Sequence, residues 1–179
     1  MAVISRALAT AAVFLSLAAG AVAAAGKDYP GTSQKLAPTL TEIGFSSLVS
    51  FKPAKKPVAA EAKGFKNGAV AFYQKGTLKK PIQTIVTIYV YSSAADAKLA
   101  YTHSCSSCVI PMTTHGIVIK SGSATANGIT TVTLVSNCRN VYVAIAIADE
   151  ALKSLYNDAG VIAGQVYNRA IGQGMSACA

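Results

Sequence analysis

The sequence contains no tryptophan, two histidines and seven acidic residues in 179 positions. Each shortage removes a class of function. With only 7% aromatic residues, the core must be built from valine, isoleucine, leucine and alanine. His103, His115 and so few carboxylates, of which Asp28 lies in an N-terminal tail, are a poor supply for acid–base chemistry. No nucleophile elbow, no histidine pair at metal-binding helical spacing and no phosphate-cradling glycine loop occurs. The expectation is a protein that is not an enzyme and carries no cofactor and no metal. A second long apolar run is also missing, so no transmembrane segment is expected once the first such run has been removed.

That first run is the clearest signal present. Met1 to Arg6 carries a single positive charge, Ala7 to Ala19 is almost unbroken Ala, Leu, Val and Phe, and small residues follow through Gly26. This three-part pattern is that of a secretory signal peptide, too short in its apolar part to cross a bilayer stably. Residues 1–25 are therefore read as the signal peptide and residues 26–179 as one secreted or periplasmic, extracytoplasmic domain of 179 − 25 = 154 residues. That length suits a single core and leaves too little chain for two. No cysteine near the cleavage region suggests a lipid anchor.

Charge is unevenly placed. The net charge of +9 falls to +8 when Arg6 leaves. Lys52, Lys55, Lys56, Lys63, Lys66, Lys75, Lys79 and Lys80 face one acid, Glu61, within the same stretch. Such asymmetry points to an anionic envelope polymer or lipid surface as partner; the alternative is that the lysines only solubilise. Lysine outnumbers arginine thirteen to three, which disfavours nucleic acid. Nothing in the sequence specifies an oligomeric state.

Periodicity gives the elements. Leu36, Leu40 and Ile43 suggest a helix within Thr32–Phe45, with Pro38 leaving its starting residue open, and residues 52–66 read as a basic, mobile connection without periodicity. Gly64 to Gly68 reads as a turn, Ala69–Gln74 as a strand, Lys79-Lys80-Pro81 as a second turn, and Ile82–Tyr91 as an alternating strand. Ser93-Ala-Ala-Asp96 is a capping box for a helix to about His103. Strands are expected at Gly116–Lys120, Ile129–Val135 and Asn140–Ala148; the last is apolar on both faces, as a central strand covered on both sides would be. An amphipathic helix from Asp149 to about Ile171 follows, in which Gly160 and Gly164 are expected to permit close approach to the sheet. The order α-β-β-α-β-β-β-α predicts an α+β fold: an antiparallel sheet of about five strands with helices packed on one face. Tyr89, Tyr91 and Tyr142 are candidates for one sheet face beside the lysines, either as amphipathic ligand contacts or as core.

Four cysteines remain: Cys105, Cys108, Cys138 and Cys178. An even count in an exported chain reads as two disulfides, with three pairings open. The Cys105-Ser-Ser-Cys108 spacing also admits a thiol–disulfide protein. However, the pair follows a helix rather than opening one, so no helix N-terminus lowers a thiol pKa. Val109 stands where haem attachment requires histidine, and no second close pair completes a zinc site.

At Val90-Tyr-Ser-Ser-Ala-Ala-Asp-Ala97, and again at Cys138-Arg-Asn140-Val-Tyr-Val143 before a terminal helix, the chain resembles the extracellular sensor domain of actinobacterial receptor Ser/Thr kinases and related secreted lipoproteins. The likeness runs from about Gly68 to Ile171. It departs in lacking tryptophan, in the close first cysteine pair and in the cysteine at the extreme C-terminus. The resemblance implies a non-catalytic, disulfide-stabilised α+β domain with a groove for an envelope ligand. The functions in view are a non-enzymatic exported domain binding an anionic ligand through its lysines, an exported thiol–disulfide protein, and a structural or adhesive envelope protein.

Overall fold

A computed structural model describes residues 26–77, 80–114, 117–149 and 152–178. Residues 1–25, where a signal peptide is expected, Lys79 and His115 lie outside the described residues, as does Glu150. Two short helical turns open the domain. A 3-10 turn at Ser33–Leu36 is separated from α1 (Leu40–Ile43) by Pro38, which lacks an N–H and holds Ala37 extended at ψ 124°. The single helix expected here is therefore two. Thr39 donates through its N–H to Glu42 Oε2 (2.6 Å) at the start of α1, and Gly44 ends it at φ 66°.

Seven strands follow in one antiparallel sheet, against the five expected. They are β1 (Ser47–Pro53), β2 (Phe65–Thr77), β3 (Lys80–Tyr91), β4 (Ile110–Thr114), β5 (Ile117–Ala126), β6 (Ile129–Cys138) and β7 (Val141–Asp149). Their spatial order is β1-β2-β3-β7-β6-β5-β4. Two meanders, β1–β3 and β4–β7, are thus joined by the crossover of α2 (Ala94–His103), and β7 returns to the centre beside β3. The two unanticipated strands, β1 and β4, are the edges of the sheet, paired on one side only. The segment 52–66 is not wholly a connection, because Lys52 and Pro53 end β1 and Ala59–Ala62 form a 3-10 turn. The turn expected at Gly64–Gly68 contracts to Gly64: its φ is +66°, a Cβ there would collide with the Asp96 carboxylate, and β2 starts at the next residue. Lys80 and Pro81, also expected in a turn, are paired within β3 to Thr77 and Gly76. At the β5–β6 hairpin, Asn127 and Gly128 both take positive φ (52° and 75°), as a two-residue turn requires.

Register explains the core. Val86, Ile88 and Val90 lie opposite Ile145, Val143 and Val141, and all six are buried on one sheet face. α3 (Leu152–Gly172) covers that face with Ala159, Ile162, Ala163, Val166 and Ala170. Each fully buried aliphatic side chain contributes about 1.5–3 kcal/mol. Tyr167 of α3 shares a buried hydrogen bond with Ser136 at 2.9 Å. The opposite face is covered only at one end, where Ala97 and Ala100 of α2 pack on Tyr91, Tyr142 and Val135. Helices therefore lie on both faces rather than one, because β7 presents apolar residues to both sides and the crossover must pass over the second. Arg169 of α3 joins Glu42 through Nε (3.1 and 3.0 Å to the two oxygens) and Nη2 (2.7 Å), tying α1 to the helix.

The cysteines pair as Cys105–Cys108 and Cys138–Cys178. Next to the second bridge, buried Asn140 receives the Tyr29 N–H at 2.7 Å and donates to the Tyr29 and Tyr91 carbonyls, both at 3.0 Å. Its own carbonyl accepts the Tyr91 N–H at 2.8 Å. One side chain thus holds the N-terminal segment, the end of β3 and the β6–β7 turn together.

Two outcomes follow. The Cys138–Cys178 bridge spans 40 residues and Cys105–Cys108 spans 3, so replacing the first pair by serine costs about 4 kcal/mol and the second about 2, as read by chemical denaturation. Asn140→Leu leaves one buried donor and two acceptors unpaired, and the same measurement is expected to show a loss of about 3 kcal/mol or more.

Candidate functional site

The lysines divide between two sides of the sheet. Lys52 leaves β1 on the same face as α2 but beyond that helix, with Nζ 5.3 Å from the Phe72 ring centroid. Lys55 and Lys56 follow in the exposed connection, and Lys63 and Lys66 are exposed before and within β2. Lys75 belongs elsewhere: it points to α3, where Nζ pairs with Asp158 Oδ2 at 3.1 Å and lies 5.6 Å from the Phe45 ring centroid. Lys80 is placed by its backbone in β3. Of the eight lysines, five are exposed surface charges, Lys75 is spent on the fold, Lys80 is placed by its backbone alone, and Lys79 lies outside the described residues.

The three tyrosines do share one face, but as core. Tyr89 stacks on Tyr142 with centroids 5.8 Å apart and an interplanar angle of 14°, while Tyr91 and Phe65 approach edge-on. Tyr91 is 0% exposed and Tyr142 5%, beneath α2. The Tyr91 hydroxyl donates to the Glu61 carbonyl at 3.0 Å, anchoring the 3-10 turn. Burial pushes the Tyr142 hydroxyl up to about 12 and raises Tyr89 and Tyr91 as well. Tyr91 and Tyr142 are corrected from ligand contacts to packing residues; Tyr89 is half-buried at the margin of the same cluster.

Cys105 and Cys108 lie beyond the C-terminal end of α2 and are bonded to each other. Cys108 is 6% exposed and Cys105 takes φ 50°. The nearest helix pole is the negative one, which disfavours a thiolate and leaves the pair without the electrostatic activation that redox cysteines use. Cys138–Cys178 pins the C-terminal tail against the large core. Among the described residues no group of three His, Cys, Asp or Glu is arranged to hold a metal ion, and no helix is long and apolar enough to cross a membrane.

What the lysines border was not legible in the sequence. Beyond the reach of α2 no described element covers the sheet, and Val49, Phe72, Ile85, Thr131, Ala146 and Ala148 line a shallow groove of about 360 Å³. Ile85 is 38% and Val49 64% exposed there, and Leu48 and Phe51 are exposed on the other side of β1. Lys52 stands at the same edge. Alternation within β1 is the signal that would have revealed it, but the shift in pairing between Leu48 and Ser50 breaks the period.

A second and larger groove, about 860 Å³, runs along α3 between Tyr156 and Ile171 and over Ile117, Ile119 and Leu134. Gly160 and Gly164 open onto it. A Cβ at either meets nothing within 4 Å, so they do not serve close helix–sheet packing as expected; the alanines on the buried side of α3 do that.

An antiparallel sheet with a crossover helix on one face and a terminal helix on the other is an α+β architecture. A solved structure with this fold is the extracellular domain of PknH from Mycobacterium tuberculosis, similar at a TM-score of 0.56 and 14% identity over 82% of this chain and 100% of that one. At that identity the likeness is one of fold. No family model matches the sequence. No curated protein matches it either.

The glycine placement has a direct test. Gly160→Ala and Gly164→Ala are each expected to raise stability by about 0.5–1 kcal/mol in urea denaturation, the intrinsic helix advantage of alanine with no steric cost. A loss of stability at either would show a sheet contact.

Proposed function

We propose that this chain is a non-enzymatic, extracytoplasmic binding domain that docks on an anionic lipid surface of the cell envelope through the β1 edge. The observation that carries the reading is the adjacency of exposed apolar and cationic groups. Leu48, Val49 and Phe51 stand on β1, Lys52 shares that strand, and Lys55 and Lys56 follow at once, all exposed. Apolar side chains beside lysines match the two parts of an anionic amphiphile, acyl region and headgroup, and long lysine stems let the charge reach outward while the strand approaches the interface. A purely solubilising role for the lysines gives no reason for the bare apolar groove beside them. The fold likeness to an extracellular domain supports the extracytoplasmic setting and a binding role.

An adhesive strand-addition role is the natural rival for an exposed edge. The pairing irregularity between Leu48 and Ser50, the charge at Lys52 and the missing N–H of Pro53 all blunt β1 as a template for another strand. The thiol–disulfide reading loses support from the position of Cys105 and Cys108 at the negative end of α2.

Co-sedimentation checks the proposal. The protein is expected to bind phosphatidylglycerol vesicles and not phosphatidylcholine vesicles, with binding weakened at high salt. The triple variant Lys52→Glu, Lys55→Glu, Lys56→Glu is expected to lose at least about tenfold in affinity, each surface charge near the membrane being worth about 1 kcal/mol. Val49→Asp is expected to weaken binding with an unchanged melting temperature. Salt-insensitive binding, or equal binding to neutral vesicles, would sink the reading; binding to dextran sulfate but to neither vesicle would assign the surface to a soluble polymer instead.

A further inference from the structure

A separate pocket lies at the other end of the sheet, between α2, β5 and the β6–β7 turn. It measures about 520 Å³, and Lys98, Tyr101, Thr102, Asn137 and Arg139 line it beside the Cys138–Cys178 bridge. No carboxylate is among its lining residues. Every other arginine and lysine that pairs with an acid in the described residues does so elsewhere: Lys75 with Asp158 and Arg169 with Glu42.

Arg139 is held unusually. Its neighbours in the turn are both committed, Cys138 to the disulfide and Asn140 to the buried hydrogen bonds with Tyr29 and Tyr91. Arg139 itself sits at φ 50°, a left-handed conformation that asparagine or glycine adopts more readily. Its Nε is buried without a hydrogen-bond partner. The guanidinium lies so close against Gly26 that a Cβ at that position would collide with it. A buried guanidinium nitrogen without a hydrogen bond is costly, whereas the positive φ belongs to the first position of the two-residue turn between Cys138 and Val141. A third cation is fixed nearby: Lys120 Nζ lies 4.5 Å from the Tyr101 ring centroid and donates to the carbonyls of Thr102 (3.4 Å) and Ser104 (3.1 Å).

We infer that this pocket is a binding site for a small oxyanion, a phosphate or carboxylate group on a soluble ligand. Arg139 supplies a planar donor fork and Lys98, exposed at the rim, a movable charge. Asn137, Thr102 and the Tyr101 ring provide neutral contacts for the remainder of the ligand. The disulfide and the Asn140 hydrogen bonds keep the turn, and hence the fork, in one place before the ligand arrives. This site shares no residue with the β1 edge, so it stands or falls independently of the lipid-docking proposal.

The purified protein is titrated with inorganic pyrophosphate and, separately, with glucuronate, following the Arg139 side-chain Nε–Hε and Asn137 amide resonances by NMR. Saturable shifts of both are expected, and the probe that binds more tightly identifies phosphate or carboxylate as the natural group. Arg139→Gly tolerates the positive φ, so it is expected to keep or raise the melting temperature while weakening binding by at least about tenfold, the loss typical of a charge-assisted hydrogen bond. Lys98→Gln is expected to weaken binding several-fold, and the triple lysine variant of the β1 edge to leave it unchanged. The inference is overturned if neither probe shifts these resonances, or if Arg139→Gly binds both as well as the parent protein. A lowered melting temperature in Arg139→Gly with unaltered binding overturns it too, marking Arg139 as a structural residue.

Discussion

One buried amide organises this domain. Asn140 satisfies the backbone of Tyr29 and the carbonyl of Tyr91 at once, while its own carbonyl takes the Tyr91 N–H. These are groups from three remote parts of the chain, all withdrawn from water, and each would be expensive unpaired. Because the amide has two donors and an acceptor in fixed geometry, only one mutual arrangement of N-terminal segment, β3 and β6–β7 turn satisfies it. The residue before it, Arg139, takes positive φ as the first position of the two-residue β6–β7 turn, and Cys138 before that is bridged to Cys178. The bridge and the buried amide restrain the same turn from opposite sides.

From that fixed corner the two faces of the sheet meet different fates. One is sealed along its length by α3, whose alanines allow close packing on the β7 isoleucines. The other is sealed only where α2 crosses, over a cluster of tyrosines. The crossover is only as long as Ala94–His103, so the far half of that face, around Phe72, Ile85 and Ala146, has no helix to cover it. The bare half and the exposed β1 edge are consequences of a helix too short for its sheet. Lys52 stands at that margin beside Phe72, so the open surface has one cation against its apolar side chains.

Local patterns carried much of this. Strict alternation marked β3 and β7, the Ser93 cap opened α2 where its hydroxyl accepts the Asp96 N–H at 3.2 Å, and the amphipathic stripe located α3. The motifs around Ala94 and Asn140 pointed to a sensor-domain likeness that the structural similarity supports at the level of fold. The edge strands went unread because β1 changes register midway and β4 is short, so neither shows a sustained period. Of the candidate site, the lysine clustering was legible, yet neither the loss of Lys75 to Asp158 nor the groove beside Lys52 was. The tyrosines were correctly grouped on one face, but that face turned out to be the covered one.

The order of residues alone marked the five inner strands and the helices α2 and α3, the concentration of charge near β1 and β2, and an even number of cysteines available for bridging. Those properties depend on neighbours a few positions apart. Tertiary structure decided which face each helix seals, which cysteine finds which, that Gly160 and Gly164 open onto a groove instead of the sheet, and that the Arg139 Nε is left buried without a hydrogen bond. Each of these depends on contacts between residues distant in the chain, where the geometry of a seven-stranded sheet, and no local propensity, sets what is near and what is bare.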